Sequence, residues 1–113
     1  RNMAQQVLSD PEAAGSEAAL KSYSHDTDAT GNLLAAHGFS AEAEAAYRLA
    51  SQLWPGSPES VGNLADLLAR NGLETEARQI LEQFDRQYPD QRKDLERVSA
   101  VWRATGPAQS GGP

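Results

Sequence analysis

The sequence predicts an all-α fold, a stack of antiparallel helix pairs closed by one further helix. Three observations carry this reading. First, the stretch "HGFSAEAEAAYRLASQLWPG", His37 to Gly56, is echoed by "NGLETEARQILEQFDRQYPD", Asn71 to Asp90. Gly38/Gly72, Ala43/Ala77, Tyr47/Leu81 and Pro55/Pro89 are each 34 residues apart, as are the looser pairs Leu34/Leu68 and Ala50/Phe84. A fixed period of that length marks a helical repeat, in which one unit cannot bury its own apolar face and a second copy covers it. Second, apolar residues at helical spacing run through Leu64, Leu67 and Leu68, then through Ala77, Ile80, Leu81 and Phe84. Third, start and stop signals fall between these runs.

Taken in order, residues 1–23 form an N-terminal segment. Asp10-Pro11-Glu12 is a helix start, and the Ala-rich stretch to Tyr23 reads as helical. Ala14, Ala18 and Leu20 would cover the open end of the first pair, within the chain or swapped onto a neighbour. Residues 24–57 form the first repeat and 58–91 the second. Ser57-Pro58-Glu59 opens a helix, because the hydroxyl caps free amides and proline tolerates the first helical position. Asn71-Gly72 stops it, since glycine readily takes the left-handed conformation that closes a helix. Ser40 and Thr75 are the expected caps of the second helices, and Pro55 and Pro89 end them. Residues 92–105 read as a capping helix whose buried face is Leu95, Val98 and Trp102, and Gly106-Pro107 opens a disordered tail, 106–113.

At these residues the chain resembles the tetratricopeptide repeat (TPR) family. The first copy supplies Gly31, Leu34, Gly38, Ala43, Tyr47, Ala50 and Pro55, and the second Leu64, Ala65, Leu68, Gly72, Ala77, Leu81 and Pro89. The resemblance implies a right-handed superhelical stack of two repeats with a capping helix. Gly31 or Ala65 opposite Ala43 or Ala77 would let the helices approach closely. Thr27 and Thr30 stand where the family prefers large apolar residues, so the first helix is the least secure. Phe84 replaces a small residue and demands a shifted partner.

Composition narrows the function. A chain of 113 residues with 39% hydrophobic and 23% charged residues fits one small domain with a modest core. The net charge is -6, a poor match to nucleic acid or anionic lipid. Residues 1–69 hold three basic and nine acidic side chains, and 70–113 hold seven of each, so the acidic excess lies in the first part. No run approaches the roughly 18 apolar residues that a membrane span needs. Arg1 in first place reads as a processed chain or a piece of a longer protein, which leaves the compartment open. Cysteine is absent, which excludes thiolate chemistry.

No nucleophile elbow or phosphate-binding glycine loop occurs, so no enzyme and no cofactor are expected. "HDTD" brings His25, Asp26 and Asp28 together, but acidic residues at a helix start explain it better than a metal site, which needs more ligands at defined spacing. Trp54, Trp102, Tyr47, Tyr88 and Phe84 fall at core positions rather than on a stacking platform.

The resemblance implies an inner concave surface built mainly by the first helix of each repeat. Asn32, Asn63, Asp66, Arg70, Lys93, Arg97 and Arg103 would face it and contact a peptide or a partner helix. One subset of the family grips a terminal carboxylate with five such residues. Its register falls on Asp28, Asn32, Asn63, Lys93 and Arg97, four of which match, while Asp28 reverses a charge. The bland alternative pairs Lys93 and Arg97 with Glu96, Asp94 or Glu59 on a solvated surface, at about 0.3 to 0.5 kcal/mol per pair. The expected function is thus a non-catalytic protein-interaction module with a protein or peptide partner. The competing reading is a structural segment that packs against a larger protein or self-associates.

Overall fold

A computed structural model of the chain describes residues 17–104. The expected helix start at Asp10-Pro11-Glu12, the residue Ala14 and the tail lie outside these residues. Five α-helices follow one another: α1 Glu17–Ala36, α2 Ser40–Leu53, α3 Pro58–Arg70, α4 Glu74–Gln87 and α5 Arg92–Val98. A single 3-10 turn, Pro89–Gln91, precedes α5, and the chain is helical again over residues 100–104. No strand occurs among the described residues. Helix α1 packs on α2 and α3 on α4, while α2, α5 and part of α1 pack on α3, which puts α3 at the centre of the stack.

The turns inside the two pairs share one construction. Gly38 and Gly72 take positive φ, 84° and 86°, where a Cβ would be strained. The Gly38 amide donates to the Ala35 carbonyl and the Phe39 amide to Leu34; Gly72 donates to Ala69 and Leu73 to Leu68. This pair of bonds satisfies the last free carbonyls of a helix. The carbonyls of Phe39 and Leu73 then accept from the amides of Ala43 and Ala77, so the same residue starts the next helix. Hence Ser40 and Thr75 do not cap α2 and α4. The N-cap positions are Phe39 and Leu73, without a side-chain cap, because the glycine turn starts each helix before the hydroxyl, one residue ahead of Ser40 and two ahead of Thr75.

Ser57 does cap α3. Its Oγ accepts from the Ser60 amide at 3.2 Å, and Pro58 occupies the first helical position. At the other ends, Trp54 and Tyr88 lie outside the helical region before Pro55 and Pro89, as steric exclusion of that region before proline requires.

Helix α1 runs unbroken through residue 24, so its first turns belong to the segment assigned to 1–23. No glycine or proline interrupts it before Gly31, and the Ser24 hydroxyl donates to the Ala50 carbonyl of α2 instead of capping. "HDTD" therefore lies in the middle of a helix, not at its start. Thr27 and Thr30 donate to the carbonyls of Tyr23 and Asp26 one turn back. Leu20 and Tyr23 pack over Leu49 and Leu53 at the outer end of the first pair, whereas Ala18 is exposed.

The main core joins Tyr47, Leu64, Leu67, Leu68, Leu81, Phe84, Leu95 and Trp102, with Leu68, Leu81 and Leu95 wholly enclosed. Phe84 finds its partner in Tyr88, the ring centroids 5.0 Å apart. Trp54 stays half-buried, with the Lys21 ammonium 4.9 Å from its ring centre. Two glycines mark close contacts. A Cβ on Gly31 would lie 2.6 Å from the Tyr47 ring, and one on Gly62 2.7 Å from Val98 Cγ1. Gly31 thus faces an aromatic ring rather than Ala43.

The capping helix is not continuous. It breaks at Ser99, which is extended (φ -107°, ψ 118°). The Asp66 carboxylate supplies the reason. Its Oδ1 accepts from Ser99 Oγ (2.8 Å) and the Val101 amide (3.3 Å), and its Oδ2 accepts from the Ala100 amide (3.0 Å). Ser99 Oγ in turn accepts from the Trp102 amide. A carboxylate of α3 thereby caps a new helix that begins at residue 100.

Candidate functional site

The first helices of both repeats and the restarted terminal helix enclose an open cleft of about 660 Å³. Asn32, Ala35 and Ala36 come from α1, Tyr47 from α2, Asn63, Asp66, Ala69 and Arg70 from α3, and Ala100 and Val101 form the far wall. The spacing of Asn63, Asp66 and Arg70 is that of one helix face. Four alanines make the walls shallow and apolar, and the polar groups sit between them.

Those polar groups differ in what they leave available. The Tyr47 hydroxyl donates to Asn32 Oδ1 at 2.6 Å, which commits the amide oxygen and leaves the amide nitrogen as a donor. Burial pushes the Tyr47 hydroxyl pKa up, the Arg70 charge opposes that, and Asp28 adds to it. Asp66 has both oxygens engaged by the terminal helix. Asn63 and Arg70 make no side-chain hydrogen bond or ion pair among the described residues.

Of the seven residues expected on the concave face, Asn32, Asn63, Asp66 and Arg70 line this cleft, and Lys93, Arg97 and Arg103 do not. Arg97 pairs with Asp94 one turn away. Arg103 Nη1 donates to the carbonyls of Glu96 and Arg97 and so closes the end of α5. Lys93 is exposed. The chain breaks at Ser99, after α5, and it is the restarted helix, through Ala100 and Val101, that lines the cleft. Sequence reasoning missed those two, together with Tyr47 and the alanines. The small residues on the α1 and α3 faces were a readable signal for a shallow wall, whereas nothing local announces the break.

Asp28 lies elsewhere. It is 1% exposed, at the junction of α1, α2 and α3. Ser60 Oγ donates to its Oδ2 at 2.6 Å, while its Oδ1 is buried without a partner. Ser24 and Ser57, both buried, complete the polar junction. Desolvation raises the Asp28 pKa to about 6; the Ser60 bond lowers it, and the Glu59 charge and His25 act in opposite senses with smaller effect. His25 Nδ1 lies 3.5 Å from Glu59 Oε1. No cluster of three metal-binding side chains occurs among the described residues.

No curated protein and no solved structure matches the chain. The family model for the tetratricopeptide repeat matches residues 34–100, more than half of the 113 residues. With the paired helices, the doubled glycine turn and the 34-residue register, the conclusion is that this chain belongs to the tetratricopeptide repeat family.

Proposed function

We propose that the chain is a non-catalytic interaction module that takes a short peptide or one face of a partner helix in the cleft between α1, α3 and residues 100–101. Tetratricopeptide repeats are in general protein-interaction modules and non-catalytic scaffolds. The observation that carries the reading is the pairing of shallow alanine walls with Asn63 and Arg70, whose polar heads have no partner among the described residues. Unpartnered donors beside small apolar walls suit a ligand backbone, which brings carbonyls and modest side chains. No helix among the described residues is long and apolar enough to cross a membrane.

The test is amide chemical-shift mapping of the labelled chain with peptides selected against it. Shifts should cluster at Asn32, Asn63, Ala69 and Ala100, and Ala36→Trp, an exposed residue in the lining, should block binding without lowering the melting temperature. Selected peptides that shift other faces instead would overturn the reading.

A second reading has its own observation. Leu33, Phe39 and Leu73 are exposed large apolar residues, 62, 54 and 46% accessible, which suits a segment that packs on a larger protein or on a second copy. Sedimentation equilibrium separates the two, since self-association predicts a mass that rises with concentration and falls in Leu33→Ser.

A further inference from the structure

We propose that the buried junction of Asp28 with Ser24, Ser57 and Ser60 is a pH-sensitive latch between the two repeats. It is closed while the Asp28 carboxyl carries its proton, and ionisation loosens it, so that the α1–α2 pair parts more readily from α3 as pH rises.

The junction lies where the first pair meets α3. Ser24 and Asp28 come from α1, and Ser57 and Ser60 from the cap and first turn of α3. Ser24 Oγ donates to the Ala50 carbonyl of α2 at 2.9 Å. Ser60 Oγ donates to Asp28 Oδ2 at 2.6 Å and lies 3.2 Å from Ser57 Oγ and 3.4 Å from Ser24 Oγ. Asp28 Oδ1 is buried and has no hydrogen-bond partner among the described residues. Apolar packing does little to replace these bonds on the α1 side. The buried residues of α1 are Ser24, Asp28 and Gly31, with Leu34 and Ala35 only partly covered, whereas α3 buries Val61, Leu64, Leu67 and Leu68.

A protonated carboxyl suits this junction and a charged one does not. A carboxylate oxygen sealed from water without a donor is costly, and burial raises the Asp28 pKa from 3.8 to about 6. The ionisable groups that act on it are His25 of its own helix, Glu59 of α3 and, from α2, the Tyr47 hydroxyl. His25 and Glu59 lie 3.5 Å apart on the exposed rim and act in opposite senses, so neither reverses the effect of burial. When the pairs part, water reaches the carboxyl and its ordinary pKa returns. The closed latch therefore has its full support below about pH 3.8 and loses it as pH rises through about 6.

Helix register carries the effect to the cleft. Asn32 stands four residues after Asp28 and Asn63 three after Ser60, each on the same helix face one turn on, and they line the cleft from α1 and from α3. Parting the helices separates these two walls. The consequence for a ligand rests on the cleft being the binding site; the latch itself does not.

The experiment is hydrogen exchange of the full chain, amide by amide, at pH 5 and 7.5, corrected for the intrinsic effect of pH and repeated in urea below the unfolding transition. A separated pair cannot bury its own face, so its amides exchange through the opening, while α3 keeps α4 and α5. The expected result is that amides of α1 and α2 exchange through an opening with a shallower urea dependence than Leu81 and Phe84 of α4. Their protection should fall about tenfold between the two pH values, and in Asp28→Asn the fall should be absent. Ser60→Ala removes the bond that lowers the Asp28 pKa and should carry the fall to higher pH before it levels off, an independent check should asparagine disturb the packing. One common urea dependence for α1, α2 and α4 would overturn the proposal, because Asp28 would then act only on the whole fold. An equal fall in Asp28→Asn, or a fall that Ser60→Ala leaves in place, would overturn it too. None of these outcomes touches the cleft reading, which peptide mapping tests separately.

Discussion

Replacing Asp28 by Asn should change how stability depends on pH. The Asp28 carboxyl is almost completely enclosed by α1, α2 and α3, with one oxygen held by Ser60 and the other unpartnered. Burial lifts its pKa from 3.8 to about 6. A folded-state pKa above the unfolded value means that folding favours the protonated form. The stability this group contributes is complete below about pH 3.8 and is lost as pH rises through about 6. At about 1.4 kcal/mol per unit, the shift corresponds to about 3 kcal/mol between the two ends of that window.

Asparagine keeps an oxygen for the Ser60 proton and removes the charge. Its amide nitrogen, placed where the unpartnered oxygen lies, costs about 1 kcal/mol for a buried donor without an acceptor. At pH 4, Asp28→Asn should therefore match the native chain or fall slightly below it. Between pH 4 and 5 it should overtake, and by pH 7.5 it should be more stable by about 2 kcal/mol. Urea unfolding followed by circular dichroism at intervals from pH 4 to 8 measures the difference. Titrations elsewhere in the chain largely cancel between the two proteins, so the difference curve isolates this carboxyl. Parallel stability profiles across the range would refute the reasoning, because they would mean that Asp28 keeps an ordinary pKa and is not held in a dry junction.

The remaining predictions concern packing and the restarted helix. Asp66→Ala removes the carboxylate that caps residues 100 and 101, and should cost about 2 kcal/mol, with faster amide hydrogen exchange at Ala100, Val101 and Trp102. Gly31→Ala drives a methyl group into the Tyr47 ring and should cost about 1 to 3 kcal/mol; a melting temperature equal to the native value would show that the ring moves aside freely. Leu68→Ala leaves a cavity at the centre of the stack and should cost about 2 to 5 kcal/mol, measured by the same urea unfolding. By contrast, Arg48→Ala breaks the pairs with Glu44 and Glu76 on a part-exposed surface and should lower stability by no more than about 1 kcal/mol.

By itself the sequence determined the repeat. The 34-residue register, the two glycines and the two prolines are local signals, since a positive φ or a missing amide acts on the residues beside it. They located Gly38 and Gly72 at the turns, Ser57 at the start of α3, and the apolar stripes that became the core. The family resemblance put Asn32, Asn63, Asp66 and Arg70 on one surface, and the spacing of the last three keeps them on one face of their helix wherever it lies.

Tertiary structure decided the rest, for the reason that contacts between distant segments can outweigh local preference. Ser24 looked like a boundary until the Ala50 carbonyl of α2 was there to take its proton, and α1 then ran on without a break. Asp28 read in the sequence as a helix-start acid and as the charge-reversed member of the groove register, and it became a buried group only when α3 closed over it. The capping helix was one helix by its pattern, yet Asp66, more than thirty residues earlier, offers Ser99, Ala100 and Val101 stronger partners than the helix could. That one carboxylate capped a new helix at residue 100, and Ala100 and Val101 of that helix line the cleft.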